Sequence, residues 1–235
     1  MIDGAFLKGT LEMPQDILDE AVTTLSWSGI LLNRILAILS IVLILAIFLE
    51  TMQAFPSIVG SLLRWRFCIS MEHSLSLSST RNRAALVMAL PLCLIVDRFQ
   101  LYNPSFSGNI PPQVSSAFVT GIFLAYMLLR RVIFKILRFK KMQSDEANAV
   151  HFTYLTYVFF CSLTMIVTAG VIKISGISSE TAGNIFFIEL ATFWFASFIR
   201  TGQILGSRFS VFATFLYLCA LEIFPAGLLI LSAVL

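Results

Sequence analysis

The sequence predicts an all-α, polytopic transmembrane helical bundle with about six spans, and three observations lead to this fold class. The 235 residues are 58% hydrophobic and only 12% charged, with a mean hydropathy of +0.90. A soluble domain carries about 25% charged residues, so the composition excludes a soluble enzyme and a secreted disulfide scaffold. The other two observations are the long apolar segments and the uneven distribution of Lys and Arg.

The apolar segments set the positions of the spans. A helix needs about 20 mostly apolar residues to cross a bilayer, and backbone polar groups in lipid must be bonded within the segment. Segments of this length are therefore predicted to be helices. They cover residues 28–49, 83–102, 114–139, 150–174, 183–203 and 209–235.

The basic residues set the orientation, because Lys and Arg are retained on the cytoplasmic side. Twelve of the 16 lie in or beside three connections, which are therefore predicted to face the cytoplasm, with both chain ends facing outward. This asymmetry explains the net charge of +3, and we expect no DNA partner. The twelve are Arg64, Arg66, Arg81, Arg83, Arg130, Arg131, Lys135, Arg138, Lys140, Lys141, Arg200 and Arg208, against Lys8, Arg34, Arg98 and Lys173 on the outer side.

Two segments outside the spans are predicted to lie at the membrane surface. The acidic tail, residues 1–27, precedes the bundle of residues 28–235 and lacks the features of a cleavable signal peptide; a short amphipathic helix and a merely solvated tail are equal alternatives for it. The first cytoplasmic loop, residues 50–82, is predicted to hold an interfacial helix over 56–70. Arg64, Trp65 and Arg66 anchor this helix, because such side chains favour the headgroup boundary.

A basic patch follows the third span. Its residues are Arg130, Arg131, Lys135, Arg138, Lys140 and Lys141. Anchoring to anionic membrane lipids is the favoured interpretation. A docking site for a cytoplasmic partner, ribosomal RNA included, is the alternative.

Ionisable residues at membrane depth are costly and usually face the bundle interior. They are Arg34, Asp97, Arg98, Lys173, Glu189 and Glu222. We expect structural ion pairs, Lys173 with Glu189 and Arg34 with Glu222. A polar cavity that opens outward is the alternative, and Pro225 favours it because proline bends a helix beside Glu222.

Three short motifs resemble a family of multi-pass inner-membrane proteins from Bacteroidota, whose domain has no assigned function. They are Arg64-Trp-Arg66, Thr80-Arg81-Asn82-Arg83-Ala84-Ala85 and Leu221-Glu222-x-x-Pro225. The resemblance implies a Gram-negative inner membrane. It brings no cofactor and no catalytic residue.

The functional hypothesis is a non-enzymatic subunit or accessory factor of a larger inner-membrane assembly, in envelope biogenesis or protein export. Neither a catalytic motif nor a set of metal ligands occurs in the sequence, so we expect no metal and no cofactor. The partners would be lipids and other membrane subunits. The alternatives are a small-solute or ion transporter that uses Glu222 and, less favoured, an intramembrane enzyme that modifies a lipid.

Overall fold

The chain folds as an all-α bundle in the computed structural model, which describes residues 27, 29–102, 104, 111–137 and 144–234. Six helical segments are long and apolar enough to cross a membrane, so the predicted fold class is confirmed. The helix predicted within the tail lies outside the described residues. The helices are α1 (Leu31–Leu63), α2 (Trp65–Glu72), α3 (Leu75–Arg98), α4 (Ser115–Leu137), α5 (Ser144–Ser175), α6 (Ser179–Gly206), α7 (Val211–Leu218) and α8 (Phe224–Val234).

The sixth span consists of α7, a five-residue π turn at Cys219–Ile223, and α8. Successive spans run in opposite directions, so the bundle has two ends. The end with α2 and the α6–α7 turn is called the inner end, because the predicted orientation places it in the cytoplasm. There Arg200 donates from Nη2 to the carbonyl oxygen of Leu62, at 2.6 Å. At the outer end the hydroxyls of Tyr102 and Ser232 lie 2.6 Å apart.

α5 is the central helix, because it contributes buried residues to each of three apolar clusters. Leu155 packs with α1 and α3, Val150 packs with α2, α6 and the sixth span, and Met165 packs with α3 and α6. A hydrogen bond from the hydroxyl of Ser162 to the carbonyl oxygen of Met88 joins α5 directly to α3. Because lipid tails are as apolar as these side chains, such close contacts and hydrogen bonds decide how the helices associate.

α1 departs most from the predicted boundaries. The first span was expected to end at residue 49, but α1 continues through Pro56 to Leu63. Proline removes one backbone hydrogen bond from a helix interior. The helix persists across it because Ala54 and Ile58, which flank Pro56, are buried against α3 and α5.

The interfacial helix was predicted over 56–70, but the structure has the shorter α2 at Trp65–Glu72. The connection between the first two spans is also shorter than the predicted 50–82, because α1 ends at Leu63 and α3 begins at Leu75. α2 has two faces: Cys68 is buried, whereas Arg66 is exposed. Burial also raises the pKa of the Cys68 thiol. A short two-faced helix at one end of a bundle is typical of a segment that lies along a membrane surface.

Candidate functional site

A fully buried ion pair lies in the inner half of the bundle. Arg130 of α4 and Glu222 of the π turn have side chains that are each 1% exposed. Arg130 donates from Nη2 to Oε1 of Glu222 at 2.6 Å and from Nη1 to Oε2 at 3.1 Å. This two-point geometry is the strongest that an arginine and a carboxylate can form. It offsets much of the cost of removing both charges from water.

Two further helices complete the surroundings of this pair. Thr201 of α6 donates its hydroxyl to Oε1 of Glu222 at 3.1 Å. The Cζ atom of Arg130 lies 4.1 Å from the centroid of the Tyr154 ring of α5. A cation above an aromatic face contributes about 2 kcal/mol where both are desolvated. Four segments, α4, α5, α6 and the sixth span, therefore meet at one charge pair.

The helix carrying Glu222 changes from α to π geometry at this point. The N–H of Phe224 donates to the carbonyl oxygen of Cys219, five residues earlier. Pro225 follows immediately and has no N–H to donate. From this proline the sequence predicted a bend in the span beside Glu222, and the structure has the π turn at that position. Such turns are frequent at functional sites and at kinks.

The predicted partner of Glu222 is wrong, and so is the predicted location of Arg130. Glu222 pairs with Arg130 rather than with Arg34, which is exposed near the outer end of α1. Arg130 is buried rather than part of the basic patch, while Arg131 and Lys135 of that patch are exposed. The sequence contained one indication that Arg130 differs from the rest of the patch. Arg131 and Lys135 share a helical face through their i, i+4 spacing, and Arg130 lies off that face. The patch residues outside the described ranges are Arg138, Lys140 and Lys141.

A second polar cluster joins α1, α3 and α4 at the outer end. Asp97 is 7% exposed and accepts hydrogen bonds from Trp27 Nε1 at 2.8 Å, from Ser116 Oγ at 2.6 Å, and from Ser115 Oγ. The Ser116 hydroxyl also lies 2.6 Å from Oδ1 of Asn33. The sequence marks Asp97 as a charge at membrane depth but does not indicate these partners, because neutral hydrogen-bond donors produce no charge pattern.

The remaining predicted charges are not gathered into one cavity. Arg98 lies over the ring of Trp27, with its Cζ 5.4 Å from the ring centroid. Glu189 accepts the Thr168 hydroxyl at 2.8 Å. The predicted ion pair of Glu189 with Lys173 is absent from the described residues, and Lys173 is exposed near the end of α5. The hydroxyl of Thr168 on α5 therefore makes the contact with Glu189 that the sequence predicted for the ammonium group of Lys173.

The inner end carries two further ion pairs, each with a buried glutamate. Arg81 of α3 contacts Glu72 of α2 at 2.6 Å, with side chains 1% and 4% exposed. Arg208 in the α6–α7 turn pairs with Glu146 at the start of α5. In the sequence, Arg208 served only to orient the chain, and Arg81 served for orientation and as part of the Thr80–Ala85 motif; in the structure each of them also joins two elements.

The described residues include no group of three or more His, Cys, Asp or Glu side chains that could hold a metal ion. Comparisons of the chain with protein-family models, with curated proteins and with solved structures find no significant match.

The substitution Glu222→Gln should strongly lower the free energy of unfolding of the bundle. The amide cannot neutralise Arg130, which would remain charged and buried, and losing one partner of a buried pair costs about 3–5 kcal/mol. Chemical unfolding in detergent micelles measures this loss. Arg131→Gln is the matched control, since it removes an exposed neighbouring arginine and should change stability by less than about 0.5 kcal/mol. Unchanged stability of the Glu222→Gln protein would contradict the structural role.

Proposed function

We propose that this multi-pass membrane protein is a non-enzymatic subunit or accessory factor of a larger assembly in the bacterial inner membrane, in envelope biogenesis or protein export. The chain is a membrane protein by composition, because six of its helical segments have the length and apolar composition of spans. The inner membrane is part of the proposal. It is supported by the basic inner end and by the resemblance to Bacteroidota inner-membrane proteins.

The sparse packing of α1 carries the proposal. Only 6% of its most apolar 18-residue window is buried inside the chain, against 11% for α4, 17% for α6, 22% for the sixth span and 50% for α3 and α5. Leu45 is 67% exposed and Phe48 is 48% exposed in the middle of α1, whereas Ser40 faces the bundle and is buried. α1 packs on α3 and α5 through Ala54 and Ile58 near its inner end, and the open apolar surface of the rest of the span is well suited to pack against a span of another subunit.

The state of two buried carboxylates, Glu222 and Asp97, supports a structural use. Both oxygens of Glu222 are engaged by Arg130, and both oxygens of Asp97 accept hydrogen bonds from neutral donors. A carboxylate that carries protons or activates a substrate needs at least one oxygen available to its reaction partner. These two carboxylates instead hold helices together.

Photo-crosslinking in living cells tests the role of α1. A benzophenone amino acid at Leu45 should give a discrete protein adduct, because this surface would face another subunit. The matched control is the same substitution at Phe212 of α7, which is 74% exposed and should give lipid adducts only. Lipid adducts at both positions, together with a monomeric chain in mild detergent, would refute the proposal.

A proton-coupled transporter is the second candidate function, because Glu222 lies within a π turn next to Pro225, and irregular helices often form ion sites in transporters. This alternative predicts a proton flux into vesicles that contain the purified chain, lost in Glu222→Gln and partly kept in Glu222→Asp. Under the leading proposal we expect the flux measured with a pH-sensitive dye to equal that of protein-free vesicles. A flux that only the Gln variant abolishes, with the protein still folded, would favour transport.

A further inference from the structure

One exposed face of α4 changes from apolar to basic along its length. Its residues follow the spacing i, i+3, i+7, i+10, i+14, which keeps side chains on one face of a helix, and each of them is exposed. From the outer side toward the inner end they are Gly121, Leu124, Leu128, Arg131 and Lys135. This set is called the α4 stripe. Among the six spans, only α1 has a smaller buried share in its apolar window than α4.

The two cations of the α4 stripe are available to an anion from outside the chain. Within the described part of the chain, neither Arg131 nor Lys135 forms an ion pair or a hydrogen bond. α4 itself contains no Asp or Glu between Ser115 and Leu137. The adjacent Arg130 is different, because Glu222 already neutralises it.

Both cations can reach one phosphate group. Side chains four residues apart on a helix have Cβ atoms about 5–6 Å apart. Arg131 and Lys135 can lay their apolar stems along the helix and extend their charged ends to the membrane boundary. A guanidinium binds two phosphate oxygens through parallel N–H donors, and an ammonium adds a compact positive charge beside them.

The apolar part of the α4 stripe matches the depth of one lipid leaflet. Leu124 is 49% exposed and Leu128 is 63% exposed, and a Cβ added at Gly121 would meet no atom within 4 Å. From Arg131 to Gly121 the helix rises about 15 Å, at about 1.5 Å per residue. This is half of a hydrocarbon core of about 30 Å, so an acyl chain that starts at Arg131 would end near Gly121.

The combination of charge and apolar surface favours a lipid over an acidic protein segment. The cations lie where the α4 stripe reaches the inner end, at the level expected for headgroups, and the exposed leucines follow directly at greater depth. An acidic segment on the cytoplasmic side would neutralise the cations but leave the leucines uncovered. An anionic phospholipid covers both parts of the α4 stripe.

We propose that the α4 stripe binds one anionic phospholipid of the inner leaflet. Arg131 donates to two phosphate oxygens, Lys135 contacts the same phosphate, and an acyl chain lies along the apolar part of the stripe. This is a defined site on one helix face, in contrast to general anchoring by the whole basic patch. The inference depends on the transmembrane fold and its predicted orientation, and it is independent of the subunit role.

Lipid binding to the purified full-length chain in neutral detergent tests the proposal. Anionic phosphatidylglycerol and net-neutral phosphatidylcholine are titrated separately, and retained lipid is measured by native mass spectrometry. Arg131→Gln should weaken phosphatidylglycerol binding about tenfold, the change that a loss of about 1.4 kcal/mol produces. The matched control is Arg64→Gln, which removes an exposed arginine at the junction of α1 and α2; we expect a change of less than about twofold.

An exchange of two neighbouring residues separates a defined site from general attraction. Lys135→Ile combined with Ile136→Lys keeps the composition and the net charge but moves the cation by about 100° around the helix. Lys135 is exposed and Ile136 is 72% exposed, so the melting temperature in lipid-free detergent should match that of the parent chain. Phosphatidylglycerol binding should fall about fivefold, the change that about 1 kcal/mol per basic residue produces.

Each outcome decides for or against the site. Retention of phosphatidylglycerol over phosphatidylcholine that Arg131→Gln and the exchange variant weaken, and that Arg64→Gln does not, supports it. Equal retention of the two lipids by the parent chain would overturn it and would favour an acidic protein partner for the two cations. Parent-like binding in the exchange variant, or equal losses in Arg131→Gln and Arg64→Gln, would also overturn it, since attraction would then depend on total charge.

Discussion

The bidentate pairing of Arg130 with Glu222 joins four segments in the inner half of the bundle, and the arrangement of that half depends on it. Two charges that are each 1% exposed are stable only if they stay together, because an isolated buried charge costs several kcal/mol. Thr201 and Tyr154 are held to the same pair by a hydrogen bond and by cation–π contact. One interaction thus fixes the relative positions of α4, α5, α6 and the sixth span.

Polar links of this kind decide which helices become neighbours in a membrane protein, since apolar side chains gain little by leaving lipid for one another. At the outer end Asp97 accepts hydrogen bonds from Ser116 of α4 and from Trp27, which precedes α1 in the sequence. At the inner end Arg81 holds α2 to α3. α1 has few such links through its middle, and its apolar surface there is open. The same principle explains a firmly joined interior together with an apolar surface on α1 that no other helix covers.

The spans could be predicted from the sequence, and their contacts could not. Length and hydropathy require no knowledge of neighbours, and α6, predicted over 183–203, extends from Ser179 to Gly206. Prediction failed where tertiary packing decides: α1 continues past Pro56 because Ile58 is buried beyond it. Arg130 was assigned to a surface patch because an arginine near the inner end of a span fits the orientation rule whether it is buried or exposed. The importance of Glu222 followed from the cost of its charge, but its partner depends on helix arrangement.

A double-mutant cycle between Arg130 and Glu222 tests the central claim most directly. The free energy of unfolding is measured in one detergent for the parent chain, for Arg130→Met, for Glu222→Leu and for the chain with both substitutions. The buried pair predicts that each single change is severe and that the double change costs less than their sum by about 2 kcal/mol or more, since neither charge is then left alone. Additive losses would show that the two side chains do not depend on each other, and would contradict the account.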